Sequence, residues 1–411
     1  MDRRPPPADI TATLIIENFT CHAGHLGAAF APGKQRGVHS VSDLARYLPY
    51  CTHSMSTNFD PMPRWRAEFP IYATGLILLG ICILVLAVRG IYPNIEWVSL
   101  NARLFGICLM LGICIDAAFQ IFGVRPVSPI AHFRRRYFSS EAGKRILAGL
   151  PLLAVCVVLL PFFSKMKAAI RLFNDFTWDQ TIIEWDRAIF FGHDAWQVLQ
   201  PVLGYPYVTA GLSVLYQTWL LLLYFGCLFM IYAEIDSRLR RQFFLTYVLS
   251  WTVIGAAMAT MLASVGPCFV NPLIGLHDFD EQMAYLHRVD EIVPVMVLPV
   301  QEMLLKWHSA NVNGLGSGIT AMPSMHVAIA YLFWLAMRRI SKPAGIFFGA
   351  YFAIIWIGSV HLAYHYAVDG LVSVIAVTVL WRVSGWVMQA WDQRLARNNQ
   401  ATFRTNTVPA E

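Results

Sequence analysis

Residues 71–88, Ile-Tyr-Ala-Thr-Gly-Leu-Ile-Leu-Leu-Gly-Ile-Cys-Ile-Leu-Val-Leu-Ala-Val, carry no charge anywhere along their length. Crossing the roughly 30 Å hydrocarbon layer of a bilayer takes about 20 apolar residues in a helix, so this run with Pro70 ahead of it reads as a membrane span over 70–88. Comparable runs recur near 100–123, 146–164, 207–232, 243–266, 322–340, 344–361 and 366–388, making eight expected spans. Membrane strands would alternate in segments of about ten residues, and these runs are too long and too continuously apolar for that. The expected fold is therefore all-α, a polytopic membrane bundle of eight helices.

Composition agrees. Of 411 residues, 57% are hydrophobic and 14% charged, against about 25% charged in soluble domains. The net charge of +6 reflects membrane orientation, and no nucleic-acid motif accompanies it. The eight cysteines are scattered with no C-x-x-C pair, so most read as small hydrophobes.

Four parts follow. Residues 1–68, rich in Pro, Ser, Arg and His, read as a disordered cytoplasmic extension, with Met55 and Met62 as alternative starts. Residues 69–140 hold two accessory spans, 141–390 a six-helix catalytic domain with a phosphatase-like core, and 391–411 a cytoplasmic tail. Between the third and fourth spans, Trp178 to Gln200 mixes aromatic and acidic residues as interfacial helices do. The connection Pro267 to Met322 reads as a long loop, a length that usually marks a lid or binding segment.

Charge orients the bundle, because cytoplasmic connections are enriched in Lys and Arg. Arg125, Arg134, Arg135, Arg136, Lys144 and Arg145 follow span two; Arg238, Arg240 and Arg241 follow span four; Arg338, Arg339 and Lys342 follow span six. These fall on one side. The connection 267–322 carries Asp278, Asp280, Glu281, Asp290, Glu291 and Glu302 against Arg288 and Lys306, so it faces outward. Both termini then lie in the cytoplasm, with the bacterial inner membrane as the expected location.

Two segments hold ionisable groups at membrane depth, where they are expensive and usually functional. In Gly318-Ile-Thr-Ala-Met-Pro-Ser-Met-His326, Pro323 suits the opening turn of a helix. The free N–H groups there, the hydroxyls of Thr320 and Ser324, and the close backbone approach allowed by Gly314, Gly316 and Gly318 would welcome a phosphate, with His326 in reach. In Gly358-Ser-Val-His-Leu-Ala-Tyr-His-Tyr-Ala-Val-Asp369, His365 and Asp369 are four apart and share a helix face. The carboxylate can hold the imidazole as an oriented nucleophile while a second histidine, His326, serves as acid. Ser359 and His361 complete the phosphate-binding candidates beside Ser324, Gly318 and Thr320.

These residues resemble the type 2 phosphatidic acid phosphatase superfamily, and within it the inositol phosphorylceramide synthase-like branch. The similarity rests on Pro323-Ser324-Met325-His326 and His365-Tyr366-Ala367-Val368-Asp369, and extends more weakly from residue 146 onward, including Gly266-Pro267-Cys268. The resemblance implies that His365 forms a phosphohistidine, Asp369 orients it, and His326 protonates the leaving group. It also implies a lipid-linked phosphate or phosphodiester substrate, transfer to water or to a lipid alcohol, and no cofactor. The phosphatase form carries K-x6-R-P and an S-R pair before the nucleophile; this chain has no K-x6-R-P, and Gly358-Ser359 stands where Ser-Arg would be. Arg288, Lys306 or His361 are the expected substitutes for those missing cations.

His361 and His365 have an H-x3-H spacing that suits zinc on one helix face, but no third ligand is spaced for it, so no metal is assigned. Asp116 in span two reads as a partner within the bundle, and no repeat supports a transporter. Glu184, Asp186 and Arg187 read as a solvated charged face. The sequence leaves the headgroup, the acceptor and the oligomeric state open.

Overall fold

The computed structural model describes residues 64–92, 95–310 and 316–406, with side chains to residue 399. The expected extension 1–68 therefore lies outside the described residues up to position 63, as does Gly314. No strand occurs among the described residues.

Fourteen helices are described. They are α1 (Arg64–Val88), α2 (Ile95–Phe119), α3 (Pro129–Phe138), α4 (Ser140–Ala169), α5 (Asp179–Ile189), α6 (Ala195–Leu203), α7 (Pro206–Tyr232), α8 (Ser237–Met261), α9 (Pro267–Ile274), α10 (Asp280–Asp290), α11 (Leu298–Ser309), α12 (Met325–Met337), α13 (Lys342–His361) and α14 (Ala367–Asn406). Their starts follow local chemistry. Ser139 accepts from Ala142 N–H at 3.1 Å, Asp236 from Leu239 N–H at 3.1 Å, and Ser341 from Ala344 N–H at 3.2 Å, each satisfying donors that the first helical turn leaves free.

Among the described residues, seven helices are long and apolar enough to cross a membrane: α1, α2 with its extension to Val124, the continuous run Pro129–Leu172, α7, α8, α13 and α14 to Asn399. The expected eighth, α12, has 13 residues, about 20 Å at 1.5 Å per residue, which is short of a full crossing. The reason lies at its start. Pro323 does not open the helix; Ser324 caps it, and the irregular stretch before Ser324 enters the bundle. Irregular backbone is tolerated at such depth only where protein surrounds it or a cavity adjoins it. Helix α12 is accordingly central, with Val327, Ala328, Ile329, Ala330, Leu332 and Phe333 fully buried.

The accessory helices are peripheral. The apolar windows of α1 and α2 are 11% and 6% buried, against 61% for α8, so their outer faces are left for lipid. Polar links dock both: Arg241 on α8 donates to Ala67 O on α1 at 3.4 Å, and Asn101 on α2 donates to Val157 O on α4 at 2.8 Å and accepts from Tyr224 on α7 at 2.7 Å. Asp116 pairs with Arg136 on α3, the first part of the continuous run Pro129–Leu172, at 2.7 and 2.8 Å.

The connection 267–322 is not a structureless loop. It folds into α9, α10 and α11, and two of these secure the end of α13: Gln282 donates to Val360 O at 2.8 Å and Gln301 to Leu362 O at 3.0 Å. Carbonyls at a helix C-terminus lack intrahelical donors, and these buried amides supply them. The tail expected after 390 continues α14 to Asn406.

Candidate active site

Three turns meet at one end of the bundle. They follow α8 (Leu262–Gly266), precede α12 (Gly316–Ser324) and link α13 to α14 (Leu362–Tyr366). Ala321 N–H donates to Ser264 O at 2.9 Å, Met322 N–H to Ser264 Oγ at 3.0 Å, and Cys268 N–H to Ala363 O at 2.8 Å. Two glycines permit this approach. A Cβ on Gly266 (φ +89°) would sit 2.7 Å from Tyr364 O, and one on Gly318 (φ +95°) 2.7 Å from Ala168 N, so both conformation and space demand glycine.

Ser324 is fully buried, and its hydroxyl accepts from Val327 N–H at 3.4 Å. That cap starts α12 and sets His326 in its first turn. The His326 ring lies 4.7 Å from Tyr216 and 4.3 Å from Trp219, centroid to centroid, while Trp219 Nε1 donates to His326 O at 3.1 Å. Helix α7 thus fixes the ring by contact and the backbone by a hydrogen bond.

His365 stands just before α14, not on it. The pairing with Asp369 forms nonetheless: Nδ1 meets Oδ2 at 3.1 Å. The same oxygen accepts from Tyr366 N–H at 3.1 Å, the reach-back of a third helical residue to the capping position. The opposite half of that cap comes from α5. Asp186 accepts from Ala367 N–H and Val368 N–H, both at 2.8 Å, and Asp179 accepts from the Tyr366 hydroxyl at 2.7 Å and from Val265 and Gly266 N–H at 2.9 and 3.0 Å. Asp186 is therefore not part of a solvated face; it is 4% exposed. Burial pushes its carboxyl up to about 6, with the two donated N–H groups opposing. Its neighbours Glu184 and Arg187 divide: Glu184 is exposed, and Arg187 pairs with Asp194 at 2.7 Å and Asp278 at 2.9 Å.

The two histidine rings face one cavity of about 340 Å³, their centroids 6.0 Å apart. Gly316, Gly318, Thr320 and Pro323 also line it. The hydroxyls of Thr320 and Tyr216, both at the cavity wall, are buried without a hydrogen-bond partner among the described residues; buried polar groups are rarely left so. Much of the remaining wall is apolar, with Leu104, Leu160, Leu223, Trp251, Met303 and Trp307 among its side chains.

Among the described residues, one lysine and no arginine line the cavity. Lys167, at the end of α4, is half-buried and has no ion pair or hydrogen bond among the described residues. Its position is illegible from the motifs, since it precedes His326 by more than 150 residues in sequence; the signal available was a lysine near the end of an apolar run. Burial first, then the charge of Lys167, hold the His365 imidazole down at about 3, with the main chain of Ala321 opposing. His365 is consequently neutral near pH 7.

Other expected contributors lie elsewhere. Ser359 is buried and donates to Trp356 O at 2.7 Å within its own helix. His361 Nε2 meets Thr209 Oγ1 at 2.9 Å, and Thr209 meets Tyr285 at 2.7 Å, a packing role that leaves it off the cavity wall. Arg288 is exposed, and Lys306 pairs with Glu302 at 3.3 Å on the surface; neither lines the cavity. An α-helix turns about 400° over four residues, which would align His361 with His365, but α13 ends at His361 and the chain reverses before His365.

Residues 180–383 match the family model described as PAP2 superfamily. That stretch contains His326, His365, Asp369, Asp186 and the three turns, and leaves out Lys167 and the wall residues of α2 and α4. No curated protein and no solved structure matches the chain.

Proposed function

We propose that this chain is a membrane phosphotransferase or phosphatase that acts on a lipid-linked phosphoester through phospho-His365. The observation that carries the proposal is the pair of histidine rings 6.0 Å apart on one cavity, one held by a carboxylate and the other fixed between two aromatic rings. The PAP2 superfamily match over both histidines supports chemistry of the phosphatase or phosphotransferase type.

The step is an in-line displacement. His365 Nε2 attacks phosphorus as the bond to the leaving oxygen breaks, and His326 gives that oxygen its proton. Positive charge develops on the His365 ring, whose Nδ1–H is donated to Asp369, the orienting arrangement that stabilises an imidazolium. Lys167 and the hydroxyls of Thr320 and Tyr216 receive the non-bridging oxygens, where transition-state charge is spread. In the second half, water or an alcohol attacks the phosphohistidine, His326 takes the proton, and His365 is regenerated.

A phosphodiester is the better substrate class. Among the described residues the cavity wall holds one lysine and no arginine, which matches a monoanion more closely than a monoester dianion. That economy of charge, with the missing K-x6-R-P and Ser-Arg pair, supports the inositol phosphorylceramide synthase-like branch and headgroup transfer to a lipid alcohol. The apolar wall supports a hydrocarbon chain on the substrate, and the charge pattern of the connections supports an outward-facing site with both termini cytoplasmic.

The test offers purified protein labelled lipid monoesters and diesters, with and without an alcohol acceptor, and follows free phosphate and exchanged headgroup. Turnover is expected on diesters, with exchange when the alcohol is present. Full turnover by a His365→Ala variant would sink the mechanism.

A further inference from the structure

At the end of the bundle away from the histidines, an open groove of about 610 Å³ lies where the start of α8, the end of α12 and the later turns of α14 come together. Its walls carry Arg238, Arg339 and Arg382, with Trp381 and Trp386 beside them, and no carboxylate lines it among the described residues. An excess of arginine is expected at one end of any membrane bundle. Orientation alone accounts for neither the concavity nor the paired indoles nor the missing counter-charge.

The groove is organised before any ligand arrives. Gln242, 6% exposed, donates to Trp381 O at 2.8 Å and accepts from Arg339 Nη1 at 3.0 Å, while the Arg339 guanidinium lies 5.6 Å from the Trp381 ring centroid. A guanidinium fixed on an indole keeps its remaining donors free for a planar acceptor such as phosphate. Arg238 has only a distant carboxylate, Asp392 at 3.6 Å, which Arg241 shares at 3.3 Å. Arg382 is exposed and has no ion pair or hydrogen bond among the described residues. Three cations thus converge on a space whose one ion-paired carboxylate among the described residues, Asp392, is divided between Arg238 and Arg241.

The same face of the molecule is fitted for hydrocarbon. On α14, Val379 is 54% and Trp386 67% exposed, so the helix presents apolar surface alongside the charged groove. Arg382 follows the start of α14 by fifteen residues, about 22 Å of helix, a depth that suits the headgroup layer on the far side of a roughly 30 Å core. A free anion would use the arginines and ignore that apolar flank; an anionic phospholipid would use both.

We propose that this groove binds the phosphate headgroup of an anionic phospholipid in the leaflet opposite the catalytic face. The guanidiniums take the phosphate oxygens, Trp386 packs at the glycerol level, and one acyl chain follows α14 past Val379. Basic pockets between membrane helices are suited to such headgroups. Because α12 runs from the groove at Arg339 to the cap at Ser324, the bound lipid braces the far end of the helix that carries His326. The inference does not depend on which reaction the histidines perform.

The test uses the full-length protein, purified in detergent and returned to nanodiscs of phosphatidylcholine with or without phosphatidylglycerol. Native mass spectrometry should find phosphatidylglycerol retained on the wild type, and thermal unfolding should shift upward with phosphatidylglycerol alone. An Arg238→Ala/Arg382→Ala variant should bind phosphatidylglycerol on the order of tenfold more weakly, keep its elution profile and lose the thermal shift. Arg382→Glu, a single change at an exposed position, carries the same test if the double variant fails to fold. Equal retention by wild type and variant, or an equal shift with phosphatidylcholine, would overturn the proposal. An equal shift with millimolar inorganic phosphate would overturn its lipid part and make the site one for a soluble anion.

Discussion

Two parts of this chain build one cavity under different rules. The stretch from α5 to α14 brings the groups with directional chemistry: two histidines, an aspartate that holds one of them, and a carboxylate on α5, Asp186, that caps the helix beside His365. The helices before it, α2 and α4, bring a wall and a charge, in Leu104, Leu160 and Lys167. The first part needs angles and short distances, so its residues come in tight local spacings. The second needs only volume and a positive field, which a residue on any neighbouring helix can supply. On the proposed reaction, catalytic type would follow the first part and substrate choice the second.

The sharpest break in that division is at His365. His365→Ala should lower turnover on the order of 10⁴-fold with little change in thermal stability, as removal of a nucleophile does; trapping of labelled phosphate on the wild type and not on the variant checks it. Next is Lys167→Met, expected to cost on the order of 10²-fold in kcat/KM, the scale of losing one preorganised charge contact in a water-poor site. If charge is what α4 contributes, Lys167→Arg should restore more of the rate than Lys167→Met.

The pH profile links the two parts. His365 is held at about 3, below the ordinary 6.5, so the acid limb of kcat/KM from this group should fall well under pH 6. Lys167→Met removes one of the two causes and should move that limb upward. The sign for stability is fixed by the same depression: the contribution is complete above the unfolded value near 6.5 and is lost as pH falls toward 3. A thermal-unfolding series between pH 7 and 4 reads it.

Smaller effects test the support. Asp186→Ala leaves the Ala367 and Val368 N–H groups without their acceptor and should destabilise the start of α14 by about 1 kcal/mol. Its activity loss, of the order of tenfold, should fall on kcat more than on KM, because the residue positions His365 and does not touch substrate. The smallest effect is expected at Ser359. Its hydroxyl bonds to a carbonyl of its own helix, so Ser359→Ala should change turnover by less than about threefold, and a larger loss would restore it to the site.

Much of this was open to reading along the chain. Uncharged runs such as Ile71 to Val88 dictate helices, since a backbone in hydrocarbon must satisfy its own N–H and C=O groups. The pairing of His365 with Asp369 is local and survives even though α14 starts two residues later than the spacing implies. Where reading failed, it failed by distance or by compensation. Asp186 looked solvated because helical charge on an amphipathic segment usually is, and its partners are main-chain N–H groups some 180 residues away that no side-chain pattern announces. His361 looked like a site residue because its partner Thr209 lies on another helix.

By itself, then, the amino-acid sequence determined the all-helical membrane architecture, the two histidine segments and the chemistry open to them, because burial in lipid and hydrogen bonding within a few residues are properties of short stretches. Tertiary structure alone decided that α12 is a short central helix, that Asp179 and Asp186 hold the turn at His365, and that Lys167 lines the cavity. Those depend on which helices become neighbours, and a charge acts through space on whatever the packing brings beside it.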